Sequence, residues 1–303
     1  MRIALIGYGS MGRNHYRILS SMPGVELAAV CDPVETETGP IPHYSELQEM
    51  LASERLDAAV ICVPTVHHRD VARACIDHGI DILIEKPLAS TEAEAQEIAD
   101  AANAAGVRAA VGHVERFNPV VTSLIEELEG KTIYSIAITR VGPFPPRVKD
   151  VGVLVDLSVH DVDLIRFLTG GEEFAESRVF KSLKQNGDHE DNAVLAFRME
   201  NDIVASIITN WFTPFKKRQI EVATDTAYYE ANLVSQELHA YSSYQSNSSY
   251  VVQQCRVHKS EPLRNELDAF VSYVMTGERS SLASLEDGIS TLHTIHKRRL
   301  QRV

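Results

Sequence analysis

Three groups of residues in this chain stand where apolar runs end, and each is of a type that can handle an alcohol and its proton. In Asp156-Leu157-Ser158-Val159-His160-Asp161-Val162-Asp163, helical spacing puts Asp156 and His160 at i and i+4, with Asp163 three residues on, all on one face. An imidazole flanked by carboxylates titrates near working pH in a fixed orientation, as a general base for a hydroxyl proton requires. In Glu85-Lys86-Pro87 an ammonium leaves an apolar strand, well placed to orient a substrate hydroxyl. In Gly7-Tyr8-Gly9-Ser10-Met11-Gly12 the glycines permit a tight turn and close approach of a pyrophosphate, whose charge a helix N-terminus stabilises.

The elements that must position these groups follow from periodicity. Arg2 to Ile6, Val25 to Cys31, Ala58 to Val63, Asp81 to Ile84 and Val107 to Gly112 read as strands. Met11 to Ser20, Tyr44 to Leu51, His68 to Gly79 and Thr91 to Ala105 read as helices between them. Such alternation predicts a doubly wound parallel sheet. After Asn118-Pro119 the pattern changes. A helix over Val120 to Leu128, a strand over Ile133 to Arg140 and a helix from Asp156 precede runs at Arg178 to Phe180, Ala193 to Arg198, Ile203 to Trp211, Gln219 to Thr224 and Ala227 to Ala231. No helix-length insert separates those runs, which predicts a mostly antiparallel open sheet. Ser242 to Ser249 reads as a loop, and Pro262 to Met275 and Ser284 to Arg299 as closing helices. The expected division is an NAD-binding domain over 1–115 and a substrate-binding and oligomerisation domain over 116–303.

Within the first domain the cofactor expectation is specific. Asp32 ends the second strand, where its carboxylate can accept from both ribose hydroxyls of NAD and repel the 2′-phosphate of NADP. Ligands of such sheets lie beyond the carboxyl ends of the strands, so Pro64, Thr65 and His68 after one strand, and Glu85 and Lys86 after the next, join Gly7, Gly9, Ser10, Met11, Gly12 and Asp32 as candidate cofactor residues.

Composition removes other classes. A formal charge of −13, with no Lys/Arg run longer than the short His296-Lys297-Arg298-Arg299 cluster, argues against nucleic acid. No apolar run approaches the length that spans a bilayer. Cys31, Cys62, Cys75 and Cys255 include no CxxC pair, so no metal is expected, and with no leader pattern at Met1 to Gly7 the expected location is cytoplasmic.

Taken together and in this order, the glycine turn, Asp32, Glu85-Lys86-Pro87 and the Asp156/His160 pair resemble the Gfo/Idh/MocA family of sugar and inositol oxidoreductases. The resemblance implies catalysis by Lys86, Asp156 and His160 beside NAD, and assembly into a homodimer or homotetramer. Members often carry Gly where this chain has Ser158. A narrower resemblance lies in His113 to Pro119, Arg140 to Arg147 and Asn210 to Pro214, which are similar to the branch that oxidises UDP-N-acetylhexosamines at the sugar 3-position. It implies UDP-N-acetylglucosamine as substrate, and an aminotransferase acting on the 3-keto product. Lys86, Arg116, Asn118, Arg147, Asp156, His160 and Trp211 are then the candidate substrate residues. Arg140, Lys149, Lys216 and Arg218 are further cations for a pyrophosphate, and Asn210 and Tyr134 are further polar contacts for a uracil or amide. Two alternatives stand beside this reading: a dehydrogenase of a free sugar or inositol, and a catalytically silent NAD-bound sugar sensor.

Overall fold

A computed structural model describes residues 1–145, 151–185, 189–242 and 249–299, with 297–299 as backbone only. In the first part of the chain β1 (Arg2–Ile6), α1 (Ser10–Leu19), β2 (Glu26–Cys31), β3 (His43–Tyr44), α2 (Leu47–Ser53), β4 (Ala58–Ile61), α3 (His68–Asp77), β5 (Asp81–Glu85), α4 (Glu92–Ala105) and β6 (Ala109–Gly112) follow one another. The strands form a six-stranded parallel sheet of order β3-β2-β1-β4-β5-β6. Its central strands are buried along their whole length, because helices cover both faces, and this is why they read as unbroken apolar runs. The order reverses between β1 and β4, which opens a crevice beyond the strand ends.

Local signals set the element ends. Thr91 caps α4 in a capping box with Glu94, and Gly106 closes that helix at φ 68°. One stretch differs from its helical reading. Tyr44 belongs to β3, and α2 starts only at Leu47. The edge of β2 takes up His43 and Tyr44 because its unpaired backbone groups gain partners there, and sheet pairing overrides local pattern.

The second part comprises α5 (Pro119–Leu128), β7 (Ile133–Pro143), α6 (Val159–Leu168), β8 (Phe174–Ser182), β9 (Asn192–Met199), β10 (Val204–Asn210), β11 (Phe212–Thr224), β12 (Ala227–Asn232), β13 (Glu237–Ser242) and β14 (Val252–Cys255). Its sheet runs β14-β13-β12-β11-β7-β10-β9-β8, antiparallel except for the β7·β10 pair. The residues of β9 and β10 alternate between buried and outward-facing. The buried set forms one core with α5 and α6 through Val120, Leu124, Ile165, Leu195, Ile207 and Ile220. The outward set leaves Val194, Val204 and Ile208 exposed. β13 and β14 escaped the sequence reading because their side chains are mostly polar or small and β14 is an edge.

Two helices close the chain, α7 (Pro262–Thr276) and α8 (Leu285–Arg299). The compact units are 1–114 with 263–292, and 115–262 with the chain end from 293. A single break at 115 would leave 263–292 in the second unit; instead Ala283, Leu285 and Leu292 join the core of the parallel sheet. A side chain at Gly288 would meet Val111 at 2.9 Å and Leu88 at 3.1 Å, so α8 needs its glycine to sit this close to β6.

Candidate active site

The glycine turn of the first unit is built as its chemistry demands. Gly7 has φ +93°, and a Cβ there would lie 2.6 Å from the backbone of Cys62 and Val63. A Cβ on Gly12 would lie 2.1 Å from the Gly7 carbonyl, so α1 starts directly on the turn. Gly9 is different: its Cβ would meet nothing within 4 Å. It is also the N-cap of α1, with no side chain capping the helix, and Ser10 and Met11 beside it are exposed. Open space over an uncapped helix start is a cradle for a phosphate. Asp32 is held rigidly at the neighbouring strand end. Its Oδ2 accepts from the Tyr8 amide at 2.6 Å and its Oδ1 from the Val34 amide at 2.9 Å. Each oxygen keeps a further lone-pair site, so the carboxylate can still receive ribose hydroxyls. These residues fit a dinucleotide.

The turn after β5 is fixed from two sides. Glu85 pairs in register with Gly112 of β6, whose missing side chain leaves room for the carboxylate. Glu85 Oε1 lies 2.7 Å from Nε2 of His15, a fully buried residue of α1, and Oε2 accepts the Lys86 amide at 3.3 Å. Burial alone would raise the Glu85 carboxyl, but the bond and charge of His15 and the charge and amide of Lys86 hold it below the usual range. The following peptide, Lys86-Pro87, is cis.

His68, expected at the cofactor, is instead the second fastening of this turn. It is buried, with Nδ1 3.0 Å from the Pro87 carbonyl and 3.3 Å from that of Leu88, and Nε2 3.0 Å from the Val63 carbonyl. Its ring bridges the segment after β4 to the Lys86-Pro87 turn, which leaves neither nitrogen for a ligand. Burial lowers its pKa, although the three carbonyls pull the other way. Pro64 is exposed and Thr65 half-buried at the start of a short 3-10 turn ahead of α3.

His15, Cys62 and Glu85 bring their ligand atoms within 4.8 Å of one another, the one such group among the described residues. The arrangement suits a hydrogen-bonded pair better than an ion. His15 and Glu85 bond directly, and burial raises the Cys62 thiol well above its usual value, which disfavours the thiolate a metal needs.

In the second unit, Asp156 lies in a π-helical turn, Leu154–Ser158, that runs straight into α6. Glu190 anchors its start: its backbone carbonyl accepts the Val153 amide at 2.9 Å and its carboxylate the Leu154 amide at 3.4 Å. Contact this close requires Gly152, where a Cβ would lie 2.2 Å from the carboxylate. Ser158 is completely buried at the junction. His160 follows in the first turn of α6, and both Asp156 and His160 are half-buried.

The other polar residues of α6 face inward. Asp163, placed beside His160 by helical spacing, takes a bidentate bond from Arg116, Nε and Nη2 donating at 2.8 and 2.6 Å. Arg116 is also stacked over Phe167, its guanidinium carbon 4.7 Å from the ring centre. That commitment removes Arg116 from the cations that could hold a substrate. Asn118, expected at the substrate, is committed in the same way: it caps α5 and donates to the Leu233 carbonyl at 3.0 Å, 3% exposed. Trp211 is a core residue, edge-on to Phe144 with ring centres 5.3 Å apart. Arg147 and Lys149 lie outside the described residues.

A buried ionic cluster that spacing did not reveal lies beneath α6. Arg140 donates to Glu115 at 2.8 Å and to Asp161 at 2.7 Å, and Arg218 reaches the same Glu115 oxygen at 3.1 Å. Burial raises Glu115 but the two arginines more than offset it, whereas burial prevails at Asp161 and pushes it up to about 6. Arg218 alone of these four is partly exposed, and Asp156 is among the carboxylates that act on its charge. Arg140 and Arg218 are cross-strand neighbours on β7 and β11, with Lys216 and Lys217 exposed on the same strand. The sequence signal for the cluster is weak: charges at 115, 140, 161 and 218 share no period. His15 was more legible, as a polar residue on the buried face of α1 with Gly12, Ile18 and Leu19.

Comparison with known proteins accords with both halves. Residues 1–113 match the family model described as "Oxidoreductase family, NAD-binding Rossmann fold", and residues 132–230 match "GFO/IDH/MocA C-terminal domain". A UDP-N-acetylglucosamine 3-dehydrogenase from Acidithiobacillus ferrooxidans is 29% identical over 246 residues, 80% of this chain and 77% of that protein. A scyllo-inositol 2-dehydrogenase (NAD(+)) from Bacillus subtilis is 26% identical over 313 residues, covering 96% and 91%. A solved structure of the Acidithiobacillus ferrooxidans UDP-N-acetylglucosamine 3-dehydrogenase shares the fold at TM-score 0.91 and 24% identity, over 99% of this chain and 96% of that one.

Proposed function

This chain belongs to the Gfo/Idh/MocA family of NAD-dependent oxidoreductases, and from that premise we propose that it oxidises a UDP-N-acetylhexosamine, UDP-N-acetylglucosamine first among them, at the C3 hydroxyl to the 3-keto sugar. The observation that carries the nucleotide-sugar reading is the cationic run Lys216-Lys217-Arg218 on β11, with the Asp156 carboxylate among the charges that act on Arg218. In a chain of net charge −13, a diphosphate needs such a local concentration of cations. The similarity to a UDP-N-acetylglucosamine 3-dehydrogenase supports the same substrate, while the comparable similarity to an inositol dehydrogenase keeps a free cyclitol or sugar as the second reading.

NAD, when bound at the glycine turn and Asp32, supplies the acceptor for the hydride of the carbinol carbon. His160 takes the hydroxyl proton, Lys86 orients the oxygen and stabilises its developing charge, and Asp156 positions the imidazole or the sugar. In this reading Gly7, Gly9, Ser10, Met11, Gly12, Asp32, Pro64 and Thr65 hold the cofactor. The 3-keto product is suited to transamination, so a cytoplasmic aminotransferase in cell-envelope glycan synthesis is the proposed consumer. The exposed apolar residues of β9 and β10 support a homo-oligomer formed through that sheet face.

The test is to incubate protein and NAD with UDP-N-acetylglucosamine, other nucleotide sugars, inositol and free sugars, and to follow reduced nicotinamide by absorbance. Added aminotransferase should then yield a UDP-sugar carrying a new amine by mass spectrometry. Turnover of inositol with no binding of any UDP-sugar would replace the first reading with the second. NAD binding with no turnover of any of them would favour the silent sensor.

A further inference from the structure

The turn that carries Lys86 is tied to the helix that opens the dinucleotide site by one buried pair. His15 stands in the second turn of α1, six residues after the Gly9 cap, and Glu85 is the last residue of β5. Nε2 of the one lies 2.7 Å from Oε1 of the other, and the second carboxylate oxygen receives the amide of Lys86. His15 is 0% exposed and its Nδ1 has no hydrogen-bond partner, so its polar bonding is directed through Nε2 to Glu85. An anionic Glu85 with both oxygens engaged then sits one residue from the ammonium. A pair with no task beyond packing would be an expensive choice, since apolar residues of similar volume are often as stable or more so than buried ionic groups.

We propose that His15 and Glu85 are positioning residues for Lys86: they fix the turn from the cofactor helix and supply the adjacent negative charge that keeps the lysine protonated and correctly aimed. The proposal rests on the role given to Lys86 above. The charged and titratable groups around the pair include Lys86 and Glu85 on the β5 turn, His15 on α1, His68 on α3, on which the Glu85 charge acts, Cys62 after β4 and Glu266 on α7, whose charge reaches Cys62. Cys62 stays a neutral thiol. Glu85 supplies negative charge next to Lys86.

The experiment compares Glu85→Gln, His15→Gln and His15→Leu in the full chain. Protein with ¹³C-dimethylated lysines would be titrated by NMR, the Lys86 signal being identified by its loss in Lys86→Arg. Glu85→Gln, which is isosteric, should lower the Lys86 midpoint by about one unit or more. His15→Leu should reduce kcat by about ten- to a hundredfold with a smaller change in KM, while His15→Gln, whose amide can still donate to Glu85, should recover most of it. An unmoved Lys86 midpoint in Glu85→Gln, or equal turnover in His15→Leu and wild type, would overturn the proposal. So would stoichiometric zinc in purified wild type that is lost in His15→Gln. A Lys86→Ala enzyme with full turnover would defeat the catalytic role of the lysine instead, and leave the NMR shift to decide the pairing on its own.

Discussion

The two units place their polar residues by different means. In the first, the backbone does most of the work: a glycine turn, parallel strand ends and one buried histidine on each side of the Lys86 turn. In the second, side chains far apart in sequence do it, with Glu115, Arg140, Asp161 and Arg218 in one cluster and Arg116 with Asp163 in another. Backbone placement tolerates change at exposed side chains but not at the glycines. Side-chain placement depends on every partner being present. The first architecture suits a ligand that many proteins share, and the second suits a site whose ligand varies between relatives.

The largest effect should come from the proposed reacting groups, one from each unit. Lys86→Ala and His160→Ala should each lower turnover by about two to four orders of magnitude while NAD affinity, read by fluorescence titration, persists. The pH profile of His160→Ala should also lose its acidic limb. If Lys86→Ala were crippled and His160→Ala nearly normal, catalysis would reside in the first unit alone and the comparison would reduce to a scaffold beside a site.

That contrast also explains what could be read without coordinates. Gly7, Gly12 and Asp32 are legible because a turn, a close helix contact and a strand end each admit few residue types, and these constraints are local. The parallel sheet was equally plain from its apolar runs. Arg116, Asn118 and Trp211 misled because their types suit substrate binding as well as interior bonding, and only the fold shows which. His68 misled for a related reason: its position at a helix start after a strand suggests a ligand contact, while the nearness of Pro87 is a tertiary fact. The π-turn holding Asp156 has no sequence mark at all; it depends on Glu190, which reaches the helix start from 36 residues away in the chain.

Next in size is the ionic cluster. Arg140→Met would leave Glu115 and Asp161 buried beside a single, partly exposed arginine, and should cost about 3–5 kcal/mol in urea unfolding. Replacing Glu115, Arg140 and Asp161 together with apolar residues should recover most of that stability. A small loss in Arg140→Met would mean that the second unit is not held by its side-chain charges, contrary to the distinction drawn here.

A smaller effect tests the first unit. Asp32→Ser should narrow the preference for NAD over NADP by about tenfold or more, because it removes a negative charge from the site of the 2′-phosphate; a unit-charge pair at about 4 Å is worth roughly 1–4 kcal/mol depending on screening. Pro33 and Val34 follow, so no adjacent cation offsets the carboxylate. Titrations showing equal affinity of the wild type for both cofactors would remove Asp32 from this role.

The smallest effect separates the units by pH. His68 has a lowered pKa because burial opposes its charge, so its neutral form is favoured by folding. Above the ordinary histidine value its contribution is complete; as pH falls through that value the unfolded chain takes up a proton first, and stability drops by up to about 1.4 kcal/mol per pH unit until the folded pKa is reached. Asp161 has the opposite sign. Its carboxyl is pushed up to about 6 by burial, so between the ordinary aspartate value and about 6 the folded state holds the extra proton, and stability drops as pH rises. In the wild type the two slopes have opposite signs and partly cancel where their windows overlap, below about pH 6. His68→Asn should remove the first, leaving an unfolding free energy that declines as pH rises across that window, and Asp161→Asn should remove the second, leaving one that climbs. Urea titrations at several pH values would read both. Parallel slopes in the two variants would show that neither group behaves as its surroundings dictate, whereas opposite slopes would assign acid sensitivity to the Lys86 turn and its counterweight to the cluster beneath α6.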